Sequence, residues 1–137
     1  MASARAIPTP TPETAHFWQG AREGALLLQR CRPCARPYFP PRPFCPHCGS
    51  RDVEVFRASG RATLYSFTIH HRAMPGFEAP YAIAVVALEE GPRMMTNIVD
   101  CPQTPDALVL DMPLKVAFQP VSDDISLPVF RPAGSRP

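Results

Sequence analysis

Residues 31–48 read CRPCARPYFPPRPFCPHC. Two Cys-x-x-Cys pairs, Cys31 with Cys34 and Cys45 with Cys48, stand ten residues apart. Each such turn places two thiolates on one side of an ion and frees backbone amides to hydrogen-bond the sulfurs. Two turns complete a tetrahedral shell of four sulfurs at about 2.3 Å from the metal, the arrangement of a structural zinc. The gap is shorter than the usual guide range. It still leaves room for a hairpin that returns through Tyr38 and Phe39, with Pro33, Pro37, Pro40, Pro41, Pro43 and Pro46 holding the loops. The pattern therefore predicts a rubredoxin-like zinc ribbon with one structural Zn2+ per chain on Cys31, Cys34, Cys45 and Cys48. A full thiolate shell leaves no position for water, so the metal is expected to be structural rather than catalytic. Redox dithiols are the weaker reading, because no thioredoxin-like βαβ pattern surrounds either pair. His47 is a spare donor that four thiolates make unnecessary. Cys101 stands alone and reads as a small buried hydrophobe.

Downstream of the ribbon the pattern changes to strands. Val53 to Arg57, Arg61 to His71, Tyr81 to Leu88, Arg93 to Val99 and Leu114 to Gln119 are the candidates, by alternation and by the turn residues between them. Tyr65, Phe67 and Ile69 are expected on one face of the second. Short strands of this kind suggest a small closed barrel, with the OB-fold the expected form. Upstream, Thr11-Pro12-Glu13 reads as a helix start, with a capping hydroxyl, proline at the first helical position and an acid in the first turn. The helix is expected to reach about Glu23, with Phe17 and Ala21 on one face and Trp18 beside it. Gly20 and Gly24 weaken it, so it needs a surface to dock on. The expected organisation is an arm and helix over 1–24, the ribbon over 25–57, a five-stranded OB-fold barrel over 58–132 and a tail over 133–137. The fold class is mainly β.

The bulk numbers agree with that class. The chain has 137 residues, 45% of them hydrophobic and 19% charged, as a folded domain would. Nineteen prolines argue against an all-helical protein. The net charge of +2 names no partner, but it is unevenly spread: ten arginines against four acids give +6 over residues 1–72, and four bases against eight acids give −4 over 73–137. Thirteen of the fourteen basic residues are arginine, which suits bidentate contact with phosphate or carboxylate as well as a plainly solvated surface. Met1 to Pro12 has no apolar run, and Ala82 to Leu88 is too short to span a bilayer. A cytoplasmic setting without membrane attachment is expected, where thiols stay reduced and paired cysteines favour metal.

No catalytic constellation stands out. There is no G-x-S-x-G, no phosphate-binding glycine loop and no H-E-x-x-H. His70 and His71 would point to opposite faces of a strand. Glu89-Glu90 and Asp123-Asp124 lie in turn-like sequence, as solvated charge does. No residue is assigned a catalytic role.

The order of these pieces resembles the zinc-ribbon/OB-fold acyl-CoA-associated proteins, long catalogued as a domain of unknown function. The resemblance spans about Phe17 to Pro132. It rests on Arg30-Cys31-x-x-Cys34, Pro40-Pro41-Arg42, Cys45-Pro46-x-Cys48-Gly49-Ser50 and Ser59-Gly60-Arg61. It rests also on Pro80-Tyr81, Leu88-Glu89-Glu90-Gly91-Pro92-Arg93 and Leu127-Pro128-Val129-Phe130-Arg131-Pro132. Ala62 and Asp111 stand where glycine is usual in that family, and an αL backbone at Asp111 would be tolerable for aspartate. The resemblance implies an accessory subunit, in a hetero-oligomer with a thiolase-like or related acyl-CoA-processing enzyme, that helps shape a CoA-thioester site. CoA or acyl-CoA is then a possible ligand. Phe17, Trp18, Arg30, Arg32 and Arg42 are the expected partner or CoA contacts. For Trp18 the alternative is packing on its own barrel, and for the arginines a solvated face.

A different class of function is a single-stranded nucleic-acid-binding module. Zinc ribbons and OB-folds both serve there, and Tyr65 and Phe67 could stack bases. The negative barrel half opposes it, since it repels a phosphate backbone.

Overall fold

In the computed structural model, residues 6–133 are described. The first five residues of the expected arm and residues 134–137 of the expected tail lie outside them. The one helix, α1, spans Ala15–Arg22. Thr11 does open the turn leading into it, because its carbonyl accepts the amides of Thr14 (3.0 Å) and Ala15 (2.8 Å). The helix nevertheless begins later than expected: Thr14, not Thr11, is its N-cap, Pro12 and Glu13 precede it, its first turn holds no acid, and the expected hydroxyl cap is not made. The Thr11 hydroxyl meets that of Thr14 at 3.0 Å instead, and Thr14 itself makes no side-chain cap. The helix closes with Gly24 N–H on the Ala21 carbonyl (3.1 Å) and Ala25 N–H on that of Gly20 (2.8 Å). Phe17 and Ala21 are buried, as their shared face predicts. Gly20 proves to be a packing residue. A Cβ there would lie 2.6 Å from Leu27 Cδ1, so its absence lets the helix sit against the first strand.

Two sheets follow. The first has order β2-β1-β3, from β1 (Leu27–Cys31), β2 (Pro37–Tyr38) and β3 (Val53–Arg57). The hairpin does return through Tyr38, which pairs with Gln29. The second sheet has order β6-β5-β4-β7-β8, from β4 (Arg61–His70), β5 (Tyr81–Leu88), β6 (Arg93–Thr96), β7 (Pro113–Pro120) and β8 (Ser126–Pro132). All its strand pairs are antiparallel. It curls until its edges meet at a parallel bridge between Ile98 and Phe130. Phe130 donates its amide to Asn97 (3.0 Å) and accepts that of Val99 (2.8 Å). That bridge joins the two edge strands at one point and shortens their open edges. The fold is mainly β: one helix, a zinc-ribbon region and an OB-fold sheet.

Three expectations change. Val53–Arg57, one of the five candidate barrel strands although it fell within the 25–57 ribbon boundary, pairs in the ribbon sheet, and the fifth barrel strand is β8, which Pro128 and Pro132 disguise. Proline is tolerated there because β8 is the last strand of the sheet, and neither Pro128 nor Pro132 is the residue that bridges to Ile98. The strand expected to reach Val99 ends at Thr96, whose hydroxyl turns to the Pro128 carbonyl at 3.1 Å. Tyr65 and Phe67 do not share a face. A β-bulge between Leu64 and Ser66 makes Tyr65 the extra residue. Tyr65 is 48% exposed, whereas Phe67 and Ile69 pack against the core. The backbone at Asp111 is left-handed, φ 69°, as the turn requires. Leu64, Val86, Ile98, Leu114 and Phe130 fill the barrel, joined by Leu26 and Leu28 from around β1 and by Phe17.

Candidate metal centre

The two Cys-x-x-Cys turns have one design, which follows from local chain geometry. The Cys31 amide donates to the Arg36 carbonyl (3.0 Å), and the Cys45 amide to the Ser50 carbonyl (2.8 Å), five residues on in both cases. Each turn needs a left-handed residue directly after its second cysteine. Gly49 supplies it in one (φ 82°) and Ala35 in the other (φ 63°). Glycine takes that conformation freely, whereas alanine is strained by about 1–2 kcal/mol.

The turns bring the four sulfurs within 4.8 Å of one another. Cys31 Sγ lies 3.5 Å from Cys48 Sγ, and Cys34 Sγ 3.7 Å from Cys45 Sγ. A tetrahedral shell with Zn–S bonds of about 2.3 Å puts its sulfurs about 3.8 Å apart, so the cluster fits zinc with little adjustment. Cys31 and Cys45 are fully buried, and Cys48 lies at the rim. The His47 amide reaches Cys45 Sγ at 3.3 Å, one of the amide-to-sulfur bonds the turn was expected to free.

The metal-free electrostatics agree. Burial acts to raise the Cys45 pKa, but the amides of Cys48 and His47 and the neighbouring thiols outweigh it and bring the thiol to about 7. Cys31 is pushed up to about 12. The Cys34 amide favours its thiolate, but burial and the thiols of Cys48, Cys34 and Cys45 prevail. One negative charge is accommodated and the next is resisted, as expected where a divalent cation is needed to hold several thiolates together. Zinc bound here would fold the ribbon and hold its strands; with four sulfurs it has no site for substrate.

The other expected contact residues are dispersed. Phe17 is buried, edge-on to Trp18 (centroids 5.0 Å) and 5.4 Å from Phe39. Trp18 is half-buried against the core and also lines a groove of about 510 Å³ with Ile7, Arg22 and Ile125. Arg30 pairs with Glu54 across β1 and β3 (3.2 Å) and lies 4.1 Å over the Phe56 ring. Arg32 pairs with Asp52 (2.7 Å) and Glu54 (3.4 Å). Arg42 makes no ion pair among the described residues and lines a cleft beside the ribbon. Gln29 was not singled out by the sequence. It is 93% buried, and its Oε1 accepts the Arg42 amide at 2.6 Å. A glutamine directly after three leucines, at the point where the run gives way to Arg30, was its one signal. Cys101 is partly buried; burial and then the nearby Asp100 charge push its thiol up.

Comparison with known proteins follows the same division. The family model described as the ChsH2 rubredoxin-like zinc ribbon domain matches residues 18–54. The one described as the ChsH2 C-terminal OB-fold domain matches 56–119. A DUF35 domain-containing scaffold protein of Methanocaldococcus jannaschii is 35% identical over 111 residues, 78% of this chain and 77% of the relative. A probable enoyl-CoA hydratase alpha subunit of Thermomonospora curvata is 38% identical over 130 residues, 94% of this chain. This chain spans only 40% of that relative's length. Among solved structures, a chain of the Ltp2-ChsH2(DUF35) aldolase superposes with a TM-score of 0.83 at 38% identity, covering 93% of this chain and 99% of that one. No helix among the described residues is long and apolar enough to cross a membrane.

Proposed function

The chain belongs to the DUF35 family of zinc-ribbon/OB-fold proteins, and on that premise we propose that it is a non-catalytic scaffold subunit of an enzyme acting on CoA thioesters. The partner is a thiolase-like or related acyl-CoA-processing enzyme, and the pair forms a hetero-oligomer. The observation that carries this reading is the near full-length likeness, in sequence and in shape, to the chain of the Ltp2-ChsH2(DUF35) aldolase. The name of the Thermomonospora relative, a hydratase alpha subunit, points to the same substrate class.

The surface supports the reading. The bulge sets Tyr65 on the outer barrel face, where the Arg93 guanidinium lies 4.0 Å over its ring. Met95, 72% exposed, lies on β6, the strand that also carries Arg93 and is separated from β4 by β5, and Val109 and Leu110 are exposed beside the turn that bonds Leu64. Tyrosine, methionine and arginine are enriched at protein interfaces and their hot spots. The nucleic-acid reading is weakened on the same ground, since of the two aromatics expected to stack bases Phe67 packs against the core and Tyr65 alone is exposed.

Co-expression with the acyl-CoA enzymes encoded beside it tests the proposal. Co-elution in size exclusion, lost on Tyr65→Ala with Met95→Ala, is expected. A chain that stays monomeric beside each neighbour, with and without CoA thioester, would remove the basis for a scaffold. Retention on single-stranded DNA at physiological salt would favour the other class.

A further inference from the structure

Strand register lines up three cations on the outer face of the barrel. Arg61 on β4 stands directly opposite Lys115 on β7, and Lys115 directly opposite Arg131 on β8. All three are exposed, while the alternate positions Ala62 and Leu114 are buried in the core. The Val116 amide donates to the Gly60 carbonyl, and the Ala133 amide to that of Pro113. The first cation pair therefore falls at a non-hydrogen-bonded position of its ladder and the second at a hydrogen-bonded one, with Cα atoms about 4.5 and 5.5 Å apart. Like charges directly opposite each other destabilise a sheet. The other arginines at paired strand positions avoid that: Arg30 faces Glu54, Arg57 faces Leu27 and Arg93 faces Ala87. Compensation reaches only one end of the row. Glu89 takes both bonds from Arg61, at 2.8 and 2.7 Å, while Lys115 and Arg131 make no ion pair among the described residues. Beside the row lies a cleft of about 350 Å³, with Thr63, Ala87, Pro113, Leu114 and Ala133 in its lining.

We infer that this row docks an acidic helix of another protein chain, with an aliphatic side chain of that helix seated in the cleft. Charge decides the occupant. A second copy meeting this face by two-fold symmetry would set three cations against three. Residues 134–137, which follow Ala133 at the cleft, carry Arg136 and no acid. Neither matches the row. Spacing decides the form. Neighbouring strands lie about 4.8 Å apart, so the row spans about 10 Å. Acids at i, i+4 and i+7 of a helix follow one another at about 5–6 Å and cover about 10 Å of its axis. An extended strand would set its same-face acids about 6.7 Å apart and fall out of step. A nucleic acid is the poorer match, because the sheet positions next to the row are Thr63, Pro113, Ala117, Val129 and Ala133, with no aromatic ring on which a base could stack. The inference does not require the scaffold reading, since the row lies on β4, β7 and β8 while Arg93 and Met95 lie on β6.

Lys115 is the only lysine in the sequence, which makes the test site-specific. A helical peptide with glutamates at i, i+4 and i+7 and a neighbouring leucine is titrated into the zinc-loaded full chain at low salt. A peptide of the same composition with glutamates at every second residue serves as comparison. The first should bind, weaken as salt is added, and be joined to Lys115 by a carbodiimide; the second should bind at least fivefold more weakly. Lys115→Gln with Arg131→Gln should weaken binding about tenfold, and Arg57→Gln, at an exposed arginine of the ribbon sheet, should leave it within twofold. Relief of repulsion should also raise the melting temperature of free Lys115→Gln by about 1–3 °C. Absence of binding, equal binding of the two peptides, equal loss in the Arg57 variant, or a Lys115 variant that melts below wild type would overturn the inference. Tighter retention on single-stranded DNA or on phosphatidylglycerol vesicles than on the helical peptide would overturn it too. Co-elution with an acyl-CoA enzyme through Tyr65 and Met95 would survive each of those results, so the two proposals fail separately.

Discussion

Removing one sulfur from the metal shell should unfold the ribbon while leaving the barrel folded. The perturbation is Cys31→Ser or Cys48→Ser, with Cys101→Ser as control. Structural zinc contributes about 10–16 kcal/mol at neutral pH, so each of four thiolates carries about 2.5–4 kcal/mol, or roughly two to three decades of zinc affinity. The sulfurs already stand 3.5 and 3.7 Å apart in pairs, so little of that is lost in bringing the ligands together. The cysteine loops have little else to hold them beyond Phe39, while β1 and β3 are anchored on the barrel by Leu28 and Phe56. The loops' own buried cluster is Cys31, Tyr38 and Cys45, with Cys34 and Val53 packed alongside, and it is separate from the cluster that fills the barrel. Chelator competition measures the affinity, and hydrogen exchange locates the loss. Residues 31–53 should lose protection in either variant and in chelated wild type, while β4, β5 and β7 keep theirs. Cys31→Ser should do more damage than Cys48→Ser, because Cys31 is fully buried and Cys48 exposed. The reasoning fails if a variant binds zinc within tenfold of wild type, or if the chelated ribbon stays protected. One zinc per chain is expected in the untreated protein.

Acid should strip the metal. Cys45 titrates near 7 and Cys31 near 12 without it, so below pH 7 zinc must displace protons from at least these two sulfurs. Apparent affinity should then fall by about two decades or more per pH unit, and zinc-dependent stability with it, read by chelator competition between pH 5 and 7. Ala35→Gly should relieve the left-handed strain at φ 63°. Net of glycine's added unfolded entropy, the gain is about 0.5–1 kcal/mol, a rise of about 2–4 °C in the melting temperature of the zinc form. Phe130→Ala should cost about 3–5 kcal/mol in urea unfolding, since the ring is fully buried where the barrel closes. A loss under 1 kcal/mol would mean that closure does not depend on that ring.

The metal site was legible because it is local. Each cysteine pair spans one turn, and Gly49 marked the conformation that Ala35 adopts unmarked in the other. The helix was legible through Phe17 and Ala21, although its expected hydroxyl cap is replaced by a Thr11–Thr14 contact. The strands over Val53–Arg57 and Tyr81–Leu88 followed from alternation and apolar runs. Prolines concealed β8, because the local rule against proline in strands says nothing about where a strand sits in its sheet.

What only the tertiary structure decided concerns partners distant in sequence. Arg30 and Arg32 look available in the chain, yet strand register places Glu54 opposite Arg30 and both arginines become ion-paired. Arg42 and Arg36 look the same in sequence and are left unpaired on a cleft whose other wall comes from a hairpin some fifty residues later. A single bulge reverses Tyr65 against Phe67, because side chains alternate every second residue and one extra residue shifts the phase. The four cysteines therefore determined by themselves that a ribbon forms and where a tetrahedral metal shell closes. Which arginines remain free around it, and which aromatic faces outward, depended on the register between strands, which spacing along one chain does not encode.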